Sequence, residues 1–317
     1  MAKTNCISST YLFKTTLGSV NGSFTEGNVA TVKKITTPDG KMRPYISGQS
    51  QRHAIRSIIA ETGVLMSPLF AVENEKGVDV TAGLPDQYID DDLFGFMIAV
   101  EGKNRRRTAP ARVSAAVGLF PFRGDRDLGT KSKEGTDNEG MGAGGNMFET
   151  EVYYNYFRST ILLEIDRVGV YRAFELSKEE KDKLKSSNVK TLSTEERRKR
   201  INLFYSALTT LWGGGKQSRV LTDLTPKFIV TTVQSAKAPI LLESLTMTEQ
   251  EELRVEPIIE TLKDNSDIIQ KAFIGLRSGI FKNEDEIRTK FSNAGFPVKP
   301  INESIEELLS VVKTIEL

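Results

Sequence analysis

The chain has 317 residues, of which 38% are hydrophobic and 27% are charged, and its formal net charge at pH 7 is +1. A chain of this length and composition forms one elaborated domain or two small ones with a sizeable buried core. The nearly balanced charge excludes a protein that is basic throughout, so any nucleic-acid site must be a local basic surface that acidic surfaces elsewhere offset.

The first elements predicted along the chain are a strand and a hairpin. Residues 10–17 are rich in β-forming residues that alternate in character, which predicts a strand. A second strand is predicted over residues 29–36, and the turn signal Pro38-Asp39-Gly40 returns the chain as a hairpin. This hairpin would bring Lys34 and Arg43 to the start of the next helix, where they could bind phosphate. Alternatively, such cations guard an exposed sheet edge.

The helix predicted over residues 48–61 carries the main candidate binding site. At ~100° per residue, its polar side chains share one face, and Ala54, Ile55, Ile58 and Ile59 lie opposite, where they would pack on a sheet. The first turn offers free backbone N–H groups and the positive end of the helix dipole, which suit phosphate. A solvated charged face is the alternative. The candidate residues are Ser47, Gln49, Arg52, His53 and Arg56.

An insertion and an acidic run follow this helix. Residues 64–90 have mixed patterning interrupted by proline and glycine, which predicts a segment outside the central sheet. The run Asp90-Asp91-Asp92 raises the question of a metal site. Consecutive residues of an extended chain point to opposite sides, however, and no other ligand spacing is present. We therefore expect a solvated acidic turn before a buried strand over residues 93–100.

The stretch from residue 104 to residue 114 is the most basic short run in the chain. Its arginines could form a phosphate-binding surface, and the small residues beside them would let a strand of RNA lie close to the backbone. The candidates here are Arg105, Arg107 and Arg112.

Glycines at positions 135, 140, 142, 144 and 145 interrupt residues 123–147 heavily. Such a segment cannot bury a core and is expected to be mobile. The flanking residues 117–122 and 147–154 could pair as two strands, which predicts a long hairpin with a flexible tip.

The second half of the chain predicts a central strand over residues 159–170, a helix over 195–212 and a strand over 226–233. The helix opens with a capping box, Ser193 to Glu196, and its charged first turns suggest a solvated face. Residues 248–281, 284–292 and 303–315 predict further helices. The region 241–317 would thus be a helical C-terminal extension.

A glycine-rich loop follows the predicted helix 195–212. It invites comparison with a phosphate loop, but no glycine lies six residues before Lys216, and Gln217 stands where Ser or Thr should follow the lysine. Nucleotide triphosphate binding is therefore rejected. A loop of this kind can still approach an RNA backbone through Lys216, Gln217 and Arg219, or it can simply end the helix with exposed charges.

The order of the strong elements is β-α-β-β-α-β, the ferredoxin-like or RNA-recognition-motif (RRM-like) topology, here with large insertions. The fold class is therefore α+β. The aromatic signature of the RNA-recognition motif is missing, so RNA would not be bound by stacking on the sheet face.

Residue types restrict the chemistry further. The single cysteine, Cys6, excludes an internal disulfide and fits a reducing cytoplasm. The single histidine, His53, excludes a two-histidine zinc site and suits a hydrogen-bonding or stacking contact. We expect no metal and no cofactor. No run approaches ~20 apolar residues, and the polar N-terminus lacks a secretory signal, so a cytoplasmic protein without membrane contact is expected.

Several of these stretches resemble a known family. Ser47-Gly48-Gln49 followed by Arg52-His53-Ala54-Ile55-Arg56, directly after a strand, is similar to the first helix of the backbone subunit of type I CRISPR Cascade complexes. More narrowly, it resembles the DevR-like autoregulator branch of type I-B systems, within the RAMP superfamily. The Asp-Leu-Phe-Gly-Phe run from Asp92, the Ala-Pro-Ala-Arg-Val-Ser run from Ala109 and the glycine loop also fit, over roughly residues 5–240.

The resemblance implies a non-catalytic scaffold that holds the CRISPR RNA (crRNA). Copies of the chain would stack head to tail along one crRNA as a helical filament, beside other Cascade subunits, and the target DNA strand would pair with the guide. Residues 1–240 would form an RRM-like palm with a finger at 64–92 and a thumb hairpin at about 101–158, whose flexible tip is 123–147. The implied thumb residues are Arg123, Arg126, Met141, Met147 and Phe148, the last three as wedges between bases.

Two other functions stay open at this point. A related type III backbone subunit cleaves target RNA through an aspartate in a flexible loop, for which Asp90 to Asp92, Asp125 and Asp127 are the candidates. A DNA-binding regulator is suggested only by the autoregulator label, and no helix-turn-helix is apparent.

Overall fold

A computed structural model describes residues 3–71, 79–99, 104–131, 146–184, 188–215 and 220–317. The helices are α1 Gly48–Glu61, α2 Ile89–Phe94, α3 Lys178–Asp182, α4 Thr194–Ser206, α5 Glu256–Asp264, α6 Glu284–Asn293 and α7 Ile301–Val312, with 3₁₀ turns at Ala173–Glu175 and Ala207–Thr210. The strands are β1 Cys6–Gly18, β2 Gly22–Glu26, β3 Val29–Val32, β4 Lys34–Thr36, β5 Met42–Ile46, β6 Leu69–Ala71, β7 Asp79–Thr81, β8 Phe96–Ile98, β9 Arg105–Arg107, β10 Ala111–Val113, β11 Ala116–Gly118, β12 Gly124–Lys131, β13 Asn146–Leu163, β14 Val170–Arg172, β15 Val189–Thr191, β16 Phe228–Gln234, β17 Ile269–Leu276 and β18 Val298–Lys299.

One large sheet organises the molecule, in the order β18-β17-β16-β1-β13-β11-β5-β4. Strand β1 is central and antiparallel to both neighbours, with Tyr11 opposite Ser159 on β13 and opposite Ile229 on β16. Strands β10 and β11 are antiparallel to β13 along its other edge. The fold is thus a mixed α+β fold with a large sheet, as the sequence predicted at that level.

Two hydrophobic clusters lie on opposite faces of this sheet, because successive side chains of a strand point to opposite sides. Helices α1, α4 and α7 cover one face, where Ile55, Phe204 and Leu308 pack against residues such as Tyr11 and Phe157. The part of the C-terminal segment before α7 covers the other face, and its apolar side chains, including Phe281 and Phe291, pack on Leu12, Tyr156 and Phe228.

The buried strand predicted over residues 93–100 is confirmed only as the short strand β8, which lies outside the central sheet. Leu93 and Phe94 end helix α2, and β8 pairs with β9 in a small separate sheet. Three aspartates in the first turn of α2 suit the helix dipole, and Gly95, with φ 71°, ends the helix in a conformation that favours glycine. In the central sheet, β10 and β11 pair with β13 where the predicted strand was expected.

The C-terminal region is not wholly helical. Helices α6 and α7 confirm the predictions for 284–292 and 303–315, but residues 269–276 form strand β17, which pairs with β16 and widens the sheet. Packing beside an existing strand overrides the local helical pattern there.

The long hairpin predicted around residues 117–154 is present with a different pairing. Strand β12 pairs with the first half of β13, from Gly124 opposite Tyr153 to Lys131 opposite Asn146. Residues 124–131, expected in the flexible tip, are therefore a strand, while Met141 lies outside the described residues. No helix in the described part of the chain is long and apolar enough to cross a membrane.

Candidate nucleic-acid interface

The start of α1 is fixed by three short-range contacts. The Ser47 hydroxyl caps the helix by accepting from the Ser50 N–H at 3.2 Å. Gly48 lies so close to β10 that a Cβ there would be 2.1 Å from the carbonyl oxygen of Val113. The buried Gln51 amide donates to the Ser114 carbonyl at 2.8 Å and accepts from the Tyr11 hydroxyl at 3.2 Å. The beginning of this helix is therefore a rigid part of the sheet surface, and Gln51 is a positioning residue that the sequence did not single out.

The outer face of α1 carries polar side chains without a partner in the described part of the chain. Gln49 and His53 are exposed and Arg52 is partly exposed. Among the described residues, none of these three side chains has a hydrogen-bond or ion-pair partner. The predicted orientation of the helix is confirmed, since Ala54, Ile55, Ile58 and Ile59 are buried. We name Gln49, Arg52 and His53 the α1 face.

Arg56 belongs to the same helix but is held by the protein. Its guanidinium Nε and Nη2 lie 2.9 and 2.6 Å from Oδ2 of Asp90. The predicted phosphate contact of Arg56 would compete with this ion pair.

The two hairpin cations predicted to bind phosphate are also paired. Lys34 forms an ion pair of 2.7 Å with Glu151 and lies 4.2 Å from the centre of the Phe122 ring. Arg43 donates to the carbonyl oxygen of Leu119 and lies 3.4 Å from Asp39. Both side chains brace β4 and β5 against the long hairpin, which reduces the charge that they offer to a ligand.

The described start of the glycine-rich loop, up to Gly215, packs against Val20. A Cβ on Gly214, whose φ is 111°, would lie 2.9 Å from the Val20 side chain, and the Gly215 N–H donates to the Val20 carbonyl at 3.0 Å. The neighbouring Asn21 donates to the carbonyl of Tyr45, two residues before the α1 cap. Lys216, Gln217 and Arg219, predicted to contact RNA, lie outside the described residues.

The arginine run divides into buried and exposed members. Arg105 donates to the Gly83 carbonyl at 2.8 Å, and Arg112 forms an ion pair with Glu164. Arg107 is only 3% exposed, and its guanidinium pairs with Asp92 at 2.5 Å and with Glu175 at 3.0 Å. The predicted phosphate contact is therefore not available to Arg107 in this fold. Arg106, between Arg105 and Arg107 in the same run, is exposed.

The sequence predicted that the acidic run is a solvated turn, and this prediction is wrong. Asp90, Asp91 and Asp92 are at most 3% exposed. Asp90 accepts from the Ser67 N–H, Asp91 accepts from the Leu84 N–H, and Asp92 accepts from the Gly169 N–H, each at 2.9 Å. Burial raises the pKa of the Asp91 carboxyl above its usual range.

Asp92 is the centre of a buried ion cluster. It pairs with Arg107 and, at 2.7 Å, with Arg200 of α4, which is only 2% exposed. The expectation that residues 195–200 form a solvated face is thus wrong for Arg200, and also for Arg197, which donates to the carbonyl of Val168 at 2.7 Å. Among the described residues, no group of His, Cys, Asp and Glu is arranged to hold a metal ion.

The long hairpin exposes part of its surface. Met147 is 60% exposed and Arg123 is exposed, while Arg126 pairs with Glu149 at 3.1 Å. The Phe148 ring lies over Gly129 of the opposite strand, where a Cβ would be 2.4 Å from the ring.

Comparison with known proteins gives one family. The model of the family described as CRISPR-associated negative auto-regulator DevR/Csa2 matches residues 9–250. A CRISPR-associated protein Cas7/Cst2/DevR from Myxococcus xanthus (strain DK1622) is 27% identical over 181 residues, which span 50% of this chain and 58% of that relative.

Two solved structures share the fold. A chain of a CRISPR RNA-guided surveillance complex, pre-nicking, superposes with a TM-score of 0.60 at 12% identity, over 97% of this chain and 100% of that chain. A second CRISPR RNA-guided surveillance complex gives a TM-score of 0.57 at 14% identity, over 96% of this chain and 99% of that chain.

Proposed function

This chain belongs to the CRISPR-associated DevR/Csa2 family, and from that membership we propose that it is a non-catalytic backbone subunit of a type I-B CRISPR surveillance complex. Several copies would bind one crRNA as a helical filament in the cytoplasm. They would present the guide for pairing with target DNA, beside the other subunits of the complex. The fold shared with chains of CRISPR RNA-guided surveillance complexes supports this assignment.

The observation that carries the proposal is the α1 face. Its side chains project from a helix whose start is locked to the sheet, and Arg52 has no partner among the described residues. A fixed cation beside a helix amino end suits a phosphate group and does not depend on base identity. Sequence-independent contact is what a guide-holding subunit requires, because base pairing reads the sequence.

The sheet supports a ferredoxin-like palm within residues 1–240. Strand order β16-β1-β13-β11, with α1 between β1 and β10 and α4 between β13 and β16, is the order expected for that topology. The β12–β13 hairpin would be the thumb, with Met147 and Phe148 as wedge candidates. The segment 241–317 would brace the palm through its packing on Tyr156 and Phe228.

The contacts of the acidic run support a non-catalytic role. A loop aspartate that cleaves RNA must reach the substrate, whereas Asp90 to Asp92 are buried and bound to protein groups. Asp125 is exposed on β12. Burial does not exclude Asp125 as a catalytic residue, so substitution tests it: in a non-catalytic subunit, Asp125→Ala should leave complex assembly and interference unchanged. Loss of target RNA cleavage in this variant would instead favour the type III alternative.

Co-expression with a repeat-spacer RNA tests the main proposal. The wild-type chain should elute from size exclusion as a large species rich in nucleic acid, with the RNA protected at a regular short period. Arg52→Glu should lose bound RNA. Arg277→Glu, which reverses the charge of an exposed arginine after β17, is the control and should behave as wild type. Equal RNA content in all three proteins would refute the α1 face as the guide site.

A further inference from the structure

One exposed aromatic ring lines three cavities, none of which is lined by a residue of the α1 face. Phe174, on the 3₁₀ turn after β14, is 55% exposed. It lines cavities of about 690, 510 and 650 Å³. Met97, 70% exposed, lines the second of them. We name this region, with Arg106 and Arg172, the Phe174 cleft.

The turn that carries Phe174 is held rigidly. The adjacent Glu175 is 4% exposed, and its carboxylate accepts from the Arg172 N–H at 2.8 Å and pairs with Arg107 at 3.0 Å. Arg107 is in turn anchored on Asp92. The ring is therefore presented outward by a buried ion cluster, which lowers the entropy cost of a contact made with it.

The cleft has a surplus of positive charge. Arg106 and Arg172 are exposed and line the third cavity with Phe174, and neither side chain has an ion-pair partner among the described residues. The carboxylates of the same cavity are already paired. Lys237 lies 2.9 Å from Glu164 and 2.7 Å from Asp166, and Glu175 is bound to Arg107.

We propose that the Phe174 cleft binds single-stranded nucleic acid other than the guide. One base would stack on the Phe174 ring, and Arg106 and Arg172 would contact the adjoining phosphates. An aromatic platform flanked by cations is the arrangement by which proteins hold single strands without reading their sequence. Aromatic residues, Met and Arg are common at protein–protein contacts as well, so the surplus of positive charge, which complements phosphate groups, is what favours nucleic acid over a protein partner. The cleft shares no residue with the α1 face, so it does not depend on the proposed function.

The test uses fluorescence anisotropy of a labelled short oligothymidylate with the full chain carrying Arg52→Ala, which weakens the α1 face. Adding Phe174→Ala or Phe174→Leu should lower the affinity roughly fivefold or more, because stacking is lost, and Phe174→Trp should retain it. Arg106→Ala should weaken binding and reduce its salt dependence. Because Phe174 is exposed, the thermal unfolding of these variants should match that of the parent.

Two results would overturn the proposal. One is an affinity for oligothymidylate within twofold of the parent in Phe174→Ala. The other is full binding of oligothymidylate by Phe174→Leu. This variant keeps an apolar contact and loses the ring, so full binding would mean that base stacking on Phe174 does not contribute.

A second measurement needs no substitution at the ring. Photocrosslinking of the wild-type chain to an oligonucleotide with a halogenated uracil, followed by peptide mass spectrometry, should give an adduct on Phe174. Adducts confined to residues 47–56 would refute the cleft and leave the α1 face standing. Failure of Arg52→Glu to lose guide RNA would count against the proposed function alone.

Discussion

Arg56 donates two hydrogen bonds, of 2.6 and 2.9 Å, to a single carboxylate oxygen of Asp90. This pair connects α1, which carries Arg56, to α2, which carries Asp90. The Asp90 side chain is 2% exposed and that of Arg56 is 29% exposed. Arg52, one turn earlier on the same helix, has no such partner among the described residues. The two arginines that the sequence presents as equivalent therefore have different surroundings, and substitution can separate their contributions.

Arg52→Ala should weaken RNA binding without changing stability. Loss of one phosphate contact to a single strand lowers the slope of log affinity against log salt by about 0.7. Anisotropy titrations with a repeat-spacer RNA over a salt series measure this slope, and urea unfolding measures stability. Arg277→Ala is the matched control, and an unchanged slope for Arg52→Ala would place the phosphate contact elsewhere.

Arg56→Ala should behave in the opposite way and mainly destabilise the fold. It leaves the buried Asp90 carboxylate without its cation, which costs between about 1 and 3 kcal/mol since Arg56 is itself partly exposed. The midpoint of urea unfolding should fall, and the salt slope of RNA binding should stay near that of wild type. A stable Arg56→Ala protein with a flattened salt slope would show that Arg56 leaves Asp90 to bind RNA.

The elements that could be predicted from the sequence are those with a strong local pattern. The first strand, the hairpin before α1, α1 itself with its buried face and the strand at 226–233 all follow from hydrophobic periodicity and turn residues. Periodicity failed at residues 93–100, where a short apolar run fits a strand or a helix end equally well. It failed again at 269–276, where pairing with β16 decides the conformation.

The buried charges could not be predicted for a different reason. Asp92, Arg107, Glu175 and Arg200 are far apart in sequence and meet only in the folded chain. A charged residue considered alone belongs at the surface, because burial is tolerated only with a partner. The polar face of α1 was predictable from spacing. In contrast, the pairing of Arg56, and the lack of a partner for Arg52 among the described residues, depend on where α2 packs.

Gly48→Ala tests the close approach of α1 to β10. A Cβ at this position would lie 2.1 Å from the Val113 oxygen and 3.1 Å from the Ser114 oxygen, so the helix start must shift. We expect a loss of about 1–3 kcal/mol in the free energy of unfolding, together with weaker RNA binding, since Arg52 moves with the helix. Gly22→Ala is the control, because a Cβ there meets nothing within 4 Å. Equal stability of the two variants would contradict the close packing.

Arg107→Ala should cost more than about 3 kcal/mol, because it leaves Asp92 and Glu175 buried with less positive charge. Arg107→Lys should be intermediate, since a lysine keeps the charge and loses the planar fork that reaches both carboxylates. Arg106→Ala, next to it on β9 and exposed, should unfold at the wild-type urea concentration. If Arg107→Ala were as stable as Arg106→Ala, the ion cluster would not be what holds β9 to α4 and the turn after β14.

Asp91 should make stability fall as pH rises through the acidic range. Burial raises the pKa of this carboxyl in the folded chain above that in the unfolded chain. The folded state then binds the proton more tightly, so stability is greatest below the unfolded pKa and declines as pH rises through the folded pKa. Asp91→Asn removes this titration and can still accept from the Leu84 N–H, which Asp91 does at 2.9 Å. Urea unfolding at about pH 4 and pH 7 should therefore show the variant gaining stability relative to wild type at the higher pH. A difference that stays constant or shrinks as pH rises would mean that the Asp91 charge is compensated in the folded protein, with Arg105 as the first cation to substitute.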